Sequence, residues 1–220
     1  MVTHPIGDDL LMGYATGRLP AAYDLLIAAA VSLDDDARVR LSAFEAMGGA
    51  LLARGEVAPL RGDSYEHVLG RIRNAPPEET VPEARKVPAR APILPQPLRA
   101  VAGGDLADVA WDAPGRDGPA GERAVLAGDA FGRAVLAQVP EGAAPPVRSM
   151  EAALILSGAL YLGPARFARG DLVHPVPSGV AMAADAAGGC VALLVTDAET
   201  PAREWLPRLA RGLGARLGRT

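Results

Sequence analysis

Apolar positions in residues 1–74 recur at helical spacing. Asp8 is placed to cap a first helix in which Leu10, Leu11 and Tyr14 share a face, and the pattern breaks near Gly17. Pro20 stands where a first-turn proline is tolerated and opens a second run with Tyr23, Leu26, Ile27 and Val31. Asp34 begins a third helix, in which Val39, Leu41, Phe44, Met47 and Leu51 repeat close to every 3.6 residues. The Asp34–Asp36 run supplies an N-cap and negative charge at the positive end of the helix dipole. Asp63 or Ser64 caps a short fourth helix, with Tyr65, Val68, Leu69 and Ile72 on one face, which stops before Pro76 and Pro77. This helix has no apolar partner in its own stretch of sequence.

The pattern then changes. Pro76, Pro77, Pro82, Pro88, Pro92, Pro95 and Pro97 interrupt any periodicity, so 75–98 reads as an extended linker after a helical domain at 1–74. Over 99–200 the apolar runs shorten to strand length: Asp108–Trp111, Glu122–Leu126, Ala134–Val139, Ala153–Leu156, Ala159–Leu162, Asp171–His174, Val180–Ala184 and Cys190–Val195. Gly158, Gly163–Pro164, Gly170–Asp171 and Gly188–Gly189 separate them as turns, the signature of a small sandwich or barrel. Residues 201–220 return to a helical stripe of Trp205, Leu209, Leu213 and Leu217, with arginines on the other positions. The fold class is therefore α+β, in two domains.

Composition narrows the chemistry. Of 220 residues, 50% are hydrophobic and 22% charged, enough for a packed core, and the net charge of -4 argues against a surface built to neutralise nucleic-acid phosphates. One cysteine, Cys190, excludes an internal disulfide and a multi-thiolate metal site. It lies in a predicted buried strand without cationic neighbours, so it reads as a core residue and not a reactive thiol. Three histidines (His4, His67 and His174), far apart in sequence, leave little for a conventional transition-metal centre. The start of the chain lacks a basic and apolar leader, and no window offers the apolar run of about 18 residues that a membrane span needs, so a cytoplasmic protein without membrane contact is expected.

The spacing Glu151-x6-Gly158, followed by Gly170-Asp171 and Pro177-Ser178-Gly179, resembles the skeleton of the two cupin motifs. The resemblance implies a double-stranded β-barrel, or jelly roll, whose first motif places two histidines and a glutamate around a metal, with a further histidine from the second motif. Here those positions hold Pro145, Val147 and Glu151, and Ala181 or Met182. Only the glutamate is retained, and a carboxylate in such a place needs a partner, either Arg148 or a bound polar ligand.

The stretch from Asp8-Asp9-Leu10-Leu11-Met12-Gly13-Tyr14-Ala15-Thr16-Gly17-Arg18-Leu19-Pro20 through Ala22-Tyr23-Asp24-Leu25 to Ala46-Met47-Gly48-Gly49-Ala50-Leu51 resembles the ChrR-type anti-sigma factors. Those proteins join a helical, zinc-binding anti-sigma domain to a C-terminal cupin, and the order of modules here is the same. The resemblance implies a partner, an extracytoplasmic-function sigma factor, and a stoichiometric mechanism without catalysis. The family's His-x3-Cys-x2-Cys zinc motif falls on Ala30, Asp34 and Ala37, with His4 as the nearest substitute for an additional histidine. Apolar closure by Ala30, Val31 and Ala37, with Asp34 as a cap, is then expected to replace the metal.

No catalytic residue, cofactor or metal ligand is expected, and the barrel is read as a metal-free sensory or scaffold domain. The candidate partner-binding residues are Tyr65, Val68, Leu69 and Ile72, helped by Tyr14 and Tyr23. Two alternatives stand beside this: a cupin that binds a small molecule or forms a homodimeric scaffold, and a cupin enzyme.

Overall fold

The computed structural model describes residues 2–75, 91–112, 122–145, 147 and 149–197. The C-terminal helix expected over 201–220, and residues 76–90 of the expected linker, lie outside the described residues.

Three helices, α1 (Asp8–Ala15), α2 (Ala21–Leu33) and α3 (Asp35–Leu52), pack on one another, and α4 (Ser64–Arg73) follows. Pro20 sits at the N-cap of α2, and Asp34 caps α3, its carboxylate accepting the Asp36 N–H at 3.1 Å. Asp8 caps nothing. It is the first residue of α1 and pairs with Arg40 of α3, whose guanidinium also donates to the Ile6 carbonyl at 2.9 Å. Burial does not follow the whole apolar stripe of α3. Only Ala37 and Leu41 are buried, while Val39, Met47, Leu51 and Leu52 stand in solvent. Helical period alone cannot tell a face that meets its own core from one that does not.

The end of the expected linker is part of the body. Leu94 and Leu98 are fully buried, and α5 (Gln96–Ala102) starts inside it and packs on α2. Asp105 accepts the Ile93 and Leu94 N–H groups at 3.2 and 2.8 Å, and Arg169 donates to the Ile93 carbonyl at 3.0 Å. The strand expected at Asp108–Trp111 is absent. A 3-10 turn at Leu106–Asp108 takes its place, closed by a capping box between Asp105 and Asp108.

Seven antiparallel strands follow among the described residues: β1 (Glu122–Gly128), β2 (Arg133–Val139), β3 (Ala152–Leu162), β4 (Ala165–Ala168), β5 (Leu172–Val173), β6 (Met182–Ala184) and β7 (Cys190–Thr196). β3 belongs to two layers. Its first half pairs with β7 and β5, next to β2 and β1, and its second half pairs with β4 and β6. The two strands expected on either side of Gly158 are thus one, bent at a register shift against β7 between Ile155 and Ser157. Gly158 has φ +72°, and a Cβ there would lie 2.2 Å from the Gly189 carbonyl oxygen, so only glycine fits this crossing of strands.

Alternation along β3 and β7 gives the first layer two apolar faces. Ala153, Ile155, Ala192 and Leu194 join Leu160, Leu162, Phe167 and Ala184 between the layers. Ala152, Leu154, Leu156, Val191, Leu193 and Val195 join Ala134 and Leu136 on the opposite face, in one cluster with Leu11, Leu26, Ile27 and Leu98 of the helices. Every residue of β7 is buried, as expected of a strand covered on both sides. The helical and β parts therefore share a core.

Candidate partner interface

Helix α4 carries an apolar face that none of the described residues covers. Tyr65, Val68 and Ile72 are 71%, 53% and 66% exposed, Leu69 is half-buried, and α4 has no buried residue. Earlier on the same segment Leu60, Val57 and, at the end of α3, Leu52, Leu51 and Met47 are exposed as well. A run of this extent on one segment marks an interaction site more readily than scattered surface leucines do. The sequence pointed to α4 but did not single out Met47, Leu51, Leu52, Val57 or Leu60 as exposed. Their signal was the small Ala46–Ala50 stretch, which offers no volume for a core of its own.

The two tyrosines expected to assist α4 are placed elsewhere. Tyr14 packs half-buried against the helical core; burial first, then the charges of Asp24 and Glu45, push its phenol above the ordinary value. The Tyr23 hydroxyl faces the barrel and donates to Glu151 Oε2 at 2.9 Å. Its phenol is also raised, by burial first and then by this hydrogen bond and the Glu151 charge. Glu151 thus meets a helix residue 128 positions away, with the Asp197 side chain also beside it; Arg148 lies outside the described residues.

The positions of the family's zinc motif hold two buried methyl groups, Ala30 and Ala37, and one carboxylate, Asp34, engaged at the start of α3. Val31 is buried beside them. His4 is not there. It lies on the barrel, its ring 4.2 Å from that of Phe167 and its N–H on Asp171 Oδ1 at 2.9 Å. This donor set does not fit a zinc ion. In the barrel, Pro145 is buried, Val147 and Met182 pack at the edge of the interior cluster, and Ala181 is exposed. His174 is exposed, with its ring edge-on to Tyr23 at 5.7 Å. Among the described residues no group of three or more His, Cys, Asp or Glu side chains is arranged to hold a metal ion. Cys190 is buried, and burial pushes its thiol up to about 12, so it is not thiolate at neutral pH.

The comparisons agree with this architecture. No family model matches the chain. The anti-sigma-E factor ChrR of Cereibacter sphaeroides is 31% identical over 219 residues, covering 96% of this chain and 97% of ChrR. The chain belongs to the ChrR family of anti-sigma factors. A crystal structure of Rhodobacter sphaeroides SigE in complex with the anti-sigma ChrR superimposes with a TM-score of 0.68 at 27% identity, covering 90% of this chain and 100% of that one. In this ChrR-family chain the Glu151 carboxylate is turned toward α2. Among the described residues no helix is long and apolar enough to cross a membrane.

Proposed function

We propose that this chain is an anti-sigma factor that holds an extracytoplasmic-function sigma factor by contact alone. The docking surface is the apolar face of α4 with the end of α3, and no bond is made or broken. The observation that carries the reading is the contrast between two helices of one domain: α2 is sequestered in the shared core, whereas α4 presents Tyr65, Val68 and Ile72 to solvent. An amphipathic helix with anchors at i, i+3, i+4 and i+7 is the standard geometry for insertion into an apolar groove. The capture of ChrR with SigE in a crystal supports the same partner class here. The barrel is a metal-independent sensory or scaffold domain, and the protein is not an enzyme.

Coexpression with an extracytoplasmic-function sigma factor encoded beside its gene, followed by size exclusion and elemental analysis, tests this. The expected result is a one-to-one complex without stoichiometric metal. A chain that elutes only alone or as a homodimer, or that carries stoichiometric zinc or iron, overturns it.

A further inference from the structure

Helix α2 lies on the face of β1, β2 and β7, and most of that contact is alanine and leucine, which attract without direction. Two polar contacts fix its N-terminal end. The Ala21 N–H donates to Asp129 Oδ2 at 2.9 Å, in the turn between β1 and β2, and the Tyr23 hydroxyl donates to Glu151 Oε2 at 2.9 Å, just before β3. Glu151 is itself held on both sides of its backbone: its N–H donates to the Val195 carbonyl at 2.8 Å, and its carbonyl accepts the Val176 N–H at 2.9 Å. Its neighbours Val147, Met150 and Val176 cover the apolar interior of the barrel. A rearrangement of that interior thus reaches the Glu151 carboxylate through one or two residues, and from there reaches α2.

We propose that Tyr23 and Glu151 form the latch that holds the helical domain on the barrel, so that the retained carboxylate of the barrel motif acts as a receptor for α2 and ties barrel to helices. Only the consequence for a sigma factor rests on the function proposed above; the latch itself is a property of the free chain. Ala134, Val195 and Ala152 lie opposite one another across β2, β7 and β3 beside this contact, all buried under the helices.

The test uses the full chain with Ala134→Cys as a reporter, alkylated at a rate set by how often the helices lift from the sheet. Cys190, buried between the two β layers, reports unfolding of the barrel in the same sample. Tyr23→Phe and Glu151→Ala are each expected to raise the reporter rate about tenfold, the size of a lost hydrogen bond to a charged group. The double variant should go no faster than either single one, Glu151→Gln, which keeps an acceptor oxygen, should change it less than about threefold, and Cys190 should stay slow. Should Ala134→Cys fail to fold, Ala22→Cys on the helix side reports the same opening. A reporter rate within about twofold of background in both Tyr23→Phe and Glu151→Ala, or Cys190 rising in step, overturns the latch. No sigma factor is present in this measurement, so failure of the sigma complex leaves the latch standing, and failure of the latch leaves that complex untouched.

Discussion

Ile72→Ala separates a binding face from a folding face. In the free chain Ile72 is 66% exposed and meets no buried residue of α4, so truncation removes little from the folded state. The change in unfolding free energy should stay within about 0.5 kcal/mol, and the better helix propensity of alanine, worth up to about 0.7 kcal/mol, pushes it toward stabilisation. On docking, the exposed part of the side chain is covered. Full burial of isoleucine is worth about 1.5–3 kcal/mol, and two-thirds of that is about 1–2 kcal/mol, a loss of about 5–30-fold in affinity. Titration calorimetry against the sigma factor, beside urea unfolding of the free chain, reads both quantities. Leu26→Ala gives the opposite pattern: Leu26 is fully buried in the shared core, and its truncation should cost about 2–5 kcal/mol of stability. If Ile72→Ala binds within about twofold of the parent, or destabilises the free chain by more than about 1 kcal/mol, α4 is not a free docking face.

Two further outcomes follow from individual carboxylates. Asp34→Ala removes the side-chain acceptor at the start of α3 and should lower the urea midpoint by the equivalent of about 1 kcal/mol, with most of it restored by Asp34→Ser. Asp171 is buried, which pushes its carboxyl up, but the N–H groups of Ala168, His4 and Thr3 outweigh burial and hold it below the ordinary 3.8. Its contribution is therefore complete above that value and is lost as pH falls through the folded one. The protection of the Thr3 and His4 amides against hydrogen exchange, taken relative to the intrinsic rate at each pH, should fall below about pH 4, and Asp171→Asn should leave that protection low and nearly flat with pH from about 4 to 7.

Much of the architecture was legible because local chemistry and tertiary demand coincide. Pro20 and Asp34 mark the starts of α2 and α3 as their geometry requires, and the apolar run Cys190–Thr196 could only be a strand covered on both sides. Where two structures share one pattern, the sequence does not choose between them. Gly158 serves a turn or a bent strand equally well, and close approach of the Gly189 backbone made it the latter. The β4 segment Ala-Arg-Phe-Ala is too short to show alternation and owes its strand to pairing with β3. At the site, the periodicity of α4 was visible, but the exposure of Met47 and Leu51 was not, because a stripe of period 3.6 carries no record of what covers it. The Tyr23–Glu151 contact joins positions 128 apart and left no local trace.

The shared core and the missing zinc ligands are physically connected. A helical unit of about fifty residues buries too little surface to be secure by itself, which is why domains of that size lean on a metal or a partner surface. Closing the gap with Ala30 and Ala37 supplies two methyl groups, and the Asp34 cap adds only about 1 kcal/mol. The apolar hold on α2 comes from the sheet: Leu26 and Ile27 are fully buried in the same cluster as Leu136, Leu154 and Leu193. A domain built around its own metal can swing on a linker and keep its fold, whereas helices whose core is completed by a barrel cannot leave it without exposing that core. The barrel thus completes the core on which α1, α2 and α3 pack, and under the function proposed above any influence it exerts on a sigma factor passes through the face it shares with α2.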